Sequence, residues 1–128
     1  MLDGKILIVD DNKSVLSALE LLLQKLYRDV VTVFNPNQIT SITNLKEYDV
    51  VLLDMNFSSG VNNGNEGFYW LRHIKNMVPD MSVIMITAYG DVELAVKSLK
   101  EGATDFILKP WDNKKLIATL QSAYQLRQ

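Results

Sequence analysis

The stretch from Tyr48 to Asn56, Y-D-V-V-L-L-D-M-N, constrains the fold more than any other part of the chain. Four consecutive apolar residues, 50 to 53, predict a short strand buried on both faces, as in a parallel sheet that is covered by helices. Asp54 follows directly, although Asp is a poor strand former and is seldom buried without a partner. An acid at the carboxyl end of a central parallel strand lies where open α/β sheets bind their ligands.

Similar apolar runs recur along the chain and alternate with helical patterns. The predicted strands cover residues 5–9, 29–34, 50–53, 82–86 and 104–108. The predicted helices cover residues 13–27, a weak segment at 36–45, a segment that starts near Phe68 and stops at Pro79, residues 91–101, and the chain after Asp112 or Asn113. This alternation predicts one α/β domain over residues 1–128, with a mostly parallel sheet between two helical layers.

The bulk composition excludes several classes of function. The chain has no Cys, which rules out a disulfide framework, a thiol nucleophile and a cysteine metal site. The net charge of -2 gives no support for binding of nucleic acid or of an anionic membrane surface. No apolar run approaches the roughly 18 residues of a membrane span. We therefore expect a cytoplasmic domain that binds neither nucleic acid nor membrane.

Polar side chains follow four of the predicted strands. Right-handed crossovers place the carboxyl ends of parallel strands on one edge of the sheet. The residues delivered to that edge are Asp10, Asp11, Asp54, Thr87 and Lys109. Three carboxylates brought together repel one another unless a counter-ion is present. A hard divalent cation with oxygen ligands resolves this repulsion, and Mg²⁺ is the predicted one.

The same residues suit a phosphoryl group. A phosphoryl group needs charge neutralisation and hydrogen-bond donors around its equatorial oxygens, which Lys109 and Thr87 can supply. Asp54, at the centre, is the candidate nucleophile because a carboxylate can form an acyl phosphate. Taken singly, each acid favours a helix N-cap or a loop acid over an active-site residue.

Four segments give the chain a specific resemblance. They are K-I-L-I-V-D-D-N at 5–12, V-V-L-L-D-M-N at 50–56, V-I-M-I-T-A-Y at 83–89 and G-A-T-D-F-I-L-K-P at 102–110. In this order they make the chain similar to the receiver domain of two-component response regulators, over about residues 4–126. The resemblance implies a flavodoxin-like (βα)5 fold with strand order 2-1-3-4-5.

The resemblance also implies a role for each matching residue of the metal and phosphoryl site. Asp54 matches the phospho-acceptor. Asp11 matches the direct metal ligand and Asp10 a ligand that acts largely through water. The backbone carbonyl of Asn56 matches the remaining protein ligand of Mg²⁺. Thr87 and Lys109 match the phosphoryl-binding pair.

Three further residues complete the implied site. Phe106, three residues before Lys109, matches the aromatic side chain that changes rotamer on activation. Pro110 matches a proline that follows a cis peptide bond. Tyr89, two residues past Thr87, is expected near the mouth of the site, where it and Asn56 would tune hydrolysis of the acyl phosphate.

The implied function is a phosphorylation-dependent switch rather than a turnover enzyme. A sensor histidine kinase would donate the phosphoryl group. The fourth helix, fifth strand and fifth helix would then change to control an output domain, and homodimerisation on activation is one expected consequence. The segments around 90–91 and 95–103 are most similar to receivers joined to sigma-54-dependent AAA+ activators with a DNA-binding domain. The chain is therefore expected to be the N-terminal part of a longer regulator.

One departure from the family leaves alternatives open. Gly67, the match to the family's glycine at the start of the third helix, lies thirteen residues past Asp54 (67 − 54), about five more than usual, and the family's Pro in this loop is missing. The insertion would shield the acyl phosphate, contact the kinase or only lengthen the loop. A degenerate receiver that acts as a phosphorylation-independent binding module is one alternative. A flavodoxin-like cofactor binder is another, although Asp10 and Asp11 would repel a phosphate without a metal.

Overall fold

The computed structural model describes residues 2–55 and 65–126, without the side chains of Asn65 and Tyr89. The strands are β1 (Leu2–Val9), β2 (Tyr27–Val33), β3 (Val50–Asp54), β4 (Ser82–Ala88) and β5 (Asp105–Lys109). The α-helices of the described residues are α1 (Lys13–Leu23), α2 (Asn65–Met77), α3 (Val92–Lys100) and α4 (Asn113–Leu126). Short 3₁₀ helices lie at Pro36–Ser41, Leu45–Glu47 and Tyr89–Asp91. None of the described helices is long and apolar enough to cross a bilayer.

The five strands form one sheet in the order β2-β1-β3-β4-β5, and every neighbouring pair is parallel. This confirms the flavodoxin-like architecture and its strand order. The central strand β3 is buried at all five positions, as its continuous apolar run predicts.

Alternate residues of the sheet pack into two separate cores. One face of β3 carries Val51 and Leu53, which lie in a cluster with α2 and the first 3₁₀ segment. The other face carries Val50 and Leu52, which pack against α1 and α4. The helices therefore cover both faces, and the acid that ends β3 lies at the rim between the two layers.

The predicted second helix at 36–45 is wrong in type. The segment forms the 3₁₀ turns Pro36–Ser41 and Leu45–Glu47 instead of an α-helix. Its beginning is as expected, because the Asn35 side chain accepts a hydrogen bond from the Asn37 N–H at 3.0 Å and Pro36 occupies the first turn. The β-branched residues that follow have low helix propensity, and Ile39 is buried as a single anchor.

The first helix is shorter than the predicted 13–27. It begins as expected, with the Asn12 side chain accepting from Ser14 N–H at 2.9 Å and Val15 N–H at 3.2 Å. It ends at Leu23 because Tyr27 already belongs to β2, where it pairs with Leu2. The start of β2 at Tyr27 therefore leaves no room for the last turn of the predicted helix.

Tyr27 is a buried side chain with an unsatisfied hydroxyl. Its residue is 1% exposed, its ring lies edge-on to Tyr124 with centroids 5.5 Å apart, and its hydroxyl finds no hydrogen-bond partner among residues 2–55 and 65–126. Burial, with a smaller contribution from Tyr124, raises the pKa of Tyr27 to about 12.

Tyr27→Phe is therefore expected to leave stability at neutral pH unchanged or to raise it by up to about 1 kcal/mol, since an unpaired buried hydroxyl is removed. In the wild-type protein the folded state resists ionisation, so stability is lost as pH rises from about 10 to about 12. The variant should lose less stability over that range. Urea unfolding between pH 7 and 12 measures this, and equal alkaline losses for both proteins would contradict it.

Candidate functional site

Parallel register brings the predicted polar residues to one edge of the sheet. Val9 pairs with Leu53, so the next residues, Asp10 and Asp54, lie side by side. Ala88 of β4 pairs with Lys109 of β5, which places Thr87 and Lys109 on the adjoining strand ends. The strands were predicted from apolar runs alone, and the register explains why their polar ends meet.

Lys109 connects the two buried acids of this edge. Its ammonium Nζ donates to Asp10 Oδ2 at 3.0 Å and to Asp54 Oδ1 at 3.3 Å. Asp10 is fully buried and Asp54 is 5% exposed. Burial alone would lower the pKa of Lys109, but the charges of Asp54 and Asp10 more than offset this and hold the pKa above its ordinary value. Lys109 therefore keeps its positive charge beside the Asp54 carboxylate.

Asp10 has a hydrogen bond on each carboxylate oxygen. Oδ2 accepts from Lys109, and Oδ1 accepts from the Asn12 N–H at 2.9 Å. Asp11 beside it is exposed. A cation could approach Asp11 directly, whereas direct ligation by Asp10 would compete with existing hydrogen bonds. This difference agrees with the implied roles of Asp11 as a direct ligand and Asp10 as one that acts through water.

The three acids fit a hard metal ion. Asp10, Asp11 and Asp54 each offer a carboxylate oxygen within 4.8 Å of the others. Burial raises the pKa of Asp11, and repulsion from Asp10 raises it further. A divalent cation bound by carboxylate oxygens would relieve that repulsion, as the donor set of Mg²⁺ sites requires.

Thr87 contributes a hydroxyl without a partner. The residue is 2% exposed, and its Oγ1 finds no hydrogen-bond partner in the described part of the chain. Most buried polar groups are paired, so an unpaired hydroxyl at the rim is a donor available to a ligand.

The remaining predicted residues are placed less fully. Phe106 is half-buried and packs against the core cluster that contains Leu53, and its rotamer change stays a prediction. The Lys109–Pro110 peptide bond is cis, as the resemblance implied. Asn56 and the side chain of Tyr89 lie outside the described residues, so their roles also stay predictions, as does any role of the inserted loop.

Sequence reasoning missed Glu66 as a neighbour of the site. It lies in the first turn of α2, is exposed, and its charge also raises the pKa of Asp11. The sequence signal for Glu66 was its position as an acid in the first turn of the helix that follows β3. Its distance of twelve residues from Asp54 concealed that signal.

A sequence profile described as the response regulator receiver domain matches residues 6–121. The chain belongs to this family. Two relatives are PilR from Pseudomonas aeruginosa, 32% identical over 96% of this chain and 26% of the relative, and the transcriptional regulatory protein ZraR from Salmonella typhimurium, 33% identical over 96% of this chain and 27% of the relative. The receiver domain thus spans about a quarter of the length of these curated relatives.

Solved structures resemble the receiver domain along most of its length. The N-terminal signal receiver domain of a two-component response regulator from Bacteroides fragilis is 45% identical, with a TM-score of 0.84 and coverage of 95% of this chain and 97% of that one. The receiver domain of NtrX from Brucella abortus is 28% identical, with a TM-score of 0.83 and coverage of 94% and 98%. The expected family and fold are confirmed.

The position of Asp11 yields a prediction for the metal-free protein. The pKa of Asp11 is higher in the folded protein than its ordinary value. Ionisation of Asp11 therefore lowers the free energy of unfolding as pH rises through that pKa. Asp11→Asn should therefore raise the free energy of unfolding in EDTA at pH 7 by roughly a few tenths of a kcal/mol, since solvent screens an exposed group. At a pH low enough to protonate Asp11 the gain should vanish.

With Mg²⁺ added, the order should reverse, because the variant loses a carboxylate ligand and gains less from binding. Urea unfolding in EDTA and in millimolar Mg²⁺ measures both effects on the same two proteins. A less stable variant in EDTA at pH 7 would contradict the electrostatic interpretation.

Proposed function

We propose that the receiver domain is a phosphorylation-dependent signalling switch in which Asp54 accepts a phosphoryl group from a sensor histidine kinase in the presence of Mg²⁺. One arrangement carries the proposal. The buried Asp54 carboxylate lies 3.3 Å from the Lys109 ammonium, on the strand next to the unpaired hydroxyl of Thr87. A carboxylate with a purely structural role would need only the Lys109 ammonium as its partner. A phosphoryl acceptor needs the Thr87 hydroxyl as a second donor.

The transfer forms one bond and breaks another. A carboxylate oxygen of Asp54 attacks phosphorus, the phosphorus–nitrogen bond of the phosphohistidine breaks, and the imidazole nitrogen keeps the electron pair. The product is an acyl phosphate on Asp54, and hydrolysis by water restores the carboxylate. The domain would assist both steps through its own residues without being a turnover enzyme.

The residues of this chain have distinct parts in the transfer. Lys109 holds positive charge where the phosphoryl oxygens would arrive, and Thr87 offers a hydrogen bond to one of them. Asp11, Asp54 and Asp10 would hold Mg²⁺, with the Asn56 carbonyl as the further ligand that the resemblance implies. When bound, Mg²⁺ supplies charge neutralisation at the phosphoryl oxygens.

The new charge would bias a conformational change. Lys109 now donates to Asp54, and after transfer it would be drawn to the phosphoryl oxygens together with Thr87. Thr87 lies near the end of β4 and Lys109 ends β5. In the chain, β4 is followed by α3 and β5 by α4. We expect α3 and β5 to shift, Phe106 to turn inward, and the surface of α3, β5 and α4 to change for a partner or a second copy.

The longer context of the domain belongs to the same proposal. Relatives include proteins named transcriptional regulatory protein ZraR and DNA-binding transcriptional regulator NtrC, and the receiver domain covers 27% and 24% of those two. We propose a cytoplasmic regulator of transcription whose output domain is of the sigma-54-dependent AAA+ type, with a DNA-binding domain. Homodimerisation on activation is the expected oligomeric response.

The alternative of a degenerate receiver has no specific observation in its favour. A degenerate site would lack at least one of the acceptor, the lysine or the acidic cluster. Here Asp54, Lys109 and the two acids after β1 converge within hydrogen-bond or metal-ligand distance. The experiment that follows distinguishes the two.

Incubation with acetyl phosphate and Mg²⁺ should add the mass of one phosphoryl group to the wild-type protein, and Asp54→Asn should gain none, because the substitution removes the proposed acceptor carboxylate. Intact-protein mass spectrometry measures the gain. Asp105→Asn is the matched control, since Asp105 is an exposed acid at the start of β5 and should label normally. No gain in the wild type, or equal gain in Asp54→Asn, would contradict the switch and favour a binding module.

Thr87→Val removes the unpaired hydroxyl while keeping the shape of the side chain. Stability without ligand should be unchanged or higher, because no hydrogen bond among the described residues is lost. Affinity for beryllofluoride with Mg²⁺ should fall by about tenfold or more, the usual cost of one hydrogen bond to a charged group. Tryptophan fluorescence titration measures the affinity, and unchanged binding would show that Thr87 does not contact the phosphoryl position.

A further inference from the structure

Gly67 lies in the first turn of α2 and contacts the backbone that leaves the acceptor strand. Its N–H donates to the carbonyl of Met55 at 3.0 Å, and Met55 is the residue after Asp54. The two residues are twelve apart in the chain, yet this hydrogen bond holds the start of α2 directly against the end of β3.

The contact leaves no room for a side chain at position 67. A β-carbon there would lie 2.8 Å from the Cα atom and 2.9 Å from the carbonyl carbon of Met55, and closer still to its oxygen. These are backbone atoms of the residue that directly follows β3, so they cannot turn away as the end of a flexible side chain would. Gly is unfavourable inside a helix, and close backbone approach is the physical reason for its presence here.

Met55 is held by two other interactions as well. Its N–H donates to the carbonyl of Ile86 at 2.9 Å, and its side chain is fully buried in the core. The peptide unit next to Asp54 is therefore fixed from the β4 side by Ile86 and from the α2 side by Gly67. The direction in which the Asp54 side chain leaves the backbone depends on both.

We infer that Gly67 is a positioning residue of the acceptor site, which acts through the Met55 backbone to hold the Asp54 carboxylate in line with its phosphoryl donor. The inference rests on the proposed function. In-line transfer depends on reacting atoms about 3 to 3.5 Å apart, and a displacement of about 1 Å can cost about 100-fold in rate. A side chain at position 67 must move either α2 or Met55 by a distance of that order.

The test compares Gly67→Ala with Gly90→Ala. A β-carbon at Gly90 meets nothing within 4 Å, so this control adds the same methyl group without a clash. Under saturating Mg²⁺, Gly67→Ala should label with acetyl phosphate at least tenfold more slowly per folded molecule, and Gly90→Ala within twofold of wild type. Urea unfolding gives the folded fraction. Normal labelling by the folded Gly67→Ala protein would reduce Gly67 to a packing residue and overturn the inference.

Hydrogen exchange on the wild-type protein gives a second readout that needs no variant. With Mg²⁺ and beryllofluoride at about 100 times the dissociation constant, opening of the Gly67–Met55 bond should be suppressed about 100-fold, because the open form cannot bind. The Gln24 N–H, bonded to Glu20 at the far end of α1, is the reference. Equal slowing of both amides, or none at Gly67, would overturn the inference.

Failure of the proposed function and failure of the inference about Gly67 give different experimental results. If the wild-type protein gains no phosphoryl group, the proposed function fails and the inference falls with it. If the wild type labels and Gly67→Ala labels equally fast, the proposed function stands and only the role of Gly67 is refuted.

Discussion

The ion pair of Lys109 with Asp10 and Asp54 is the interaction on which the rest of the site depends. Two buried carboxylates on adjoining strands would strongly oppose folding without a partner, since a buried unpaired charge is among the most costly features of a fold. One ammonium bonded to both offsets part of that cost. The Asp54 carboxylate is consequently held within hydrogen-bond distance of the Lys109 ammonium.

The position of these residues at strand ends explains why the site could be predicted from the sequence. Continuous apolar runs identified the strands, and in a parallel sheet a strand's end determines where the next polar residue lies. Asp54, Thr87 and Lys109 each follow such a run by position alone, so small errors in strand boundaries did not move them off the edge. The strand order, by contrast, came from the family resemblance, because periodicity does not distinguish one parallel order from another.

The errors arose where tertiary packing overrides local pattern. Residues 36–45 follow a helix start signal at Asn35 and Pro36, but burial of Ile39 needs only a short turn, and the β-branched residues favour no longer helix. The end of α1 depends on Tyr27, whose pairing with Leu2 cannot be seen in either segment alone. The hydrogen bond from the Asn12 N–H to Asp10 was hidden for a similar reason, since it depends on the backbone path between β1 and α1.

The site divides into a fixed part and a part free to respond. Asp54 is fixed by its place in β3, by the Met55 hydrogen bond to Ile86 and by the approach of Gly67. Lys109 and Thr87 differ, because the first is a long flexible side chain with 27% of its surface exposed and the hydroxyl of the second has no hydrogen-bond partner among the described residues. A phosphoryl group would leave the rigid part unchanged and displace these two side chains. Under the proposed function, the backbone would hold the acceptor in place, whereas Lys109 and Thr87 would both bind the phosphoryl group and move in response to it.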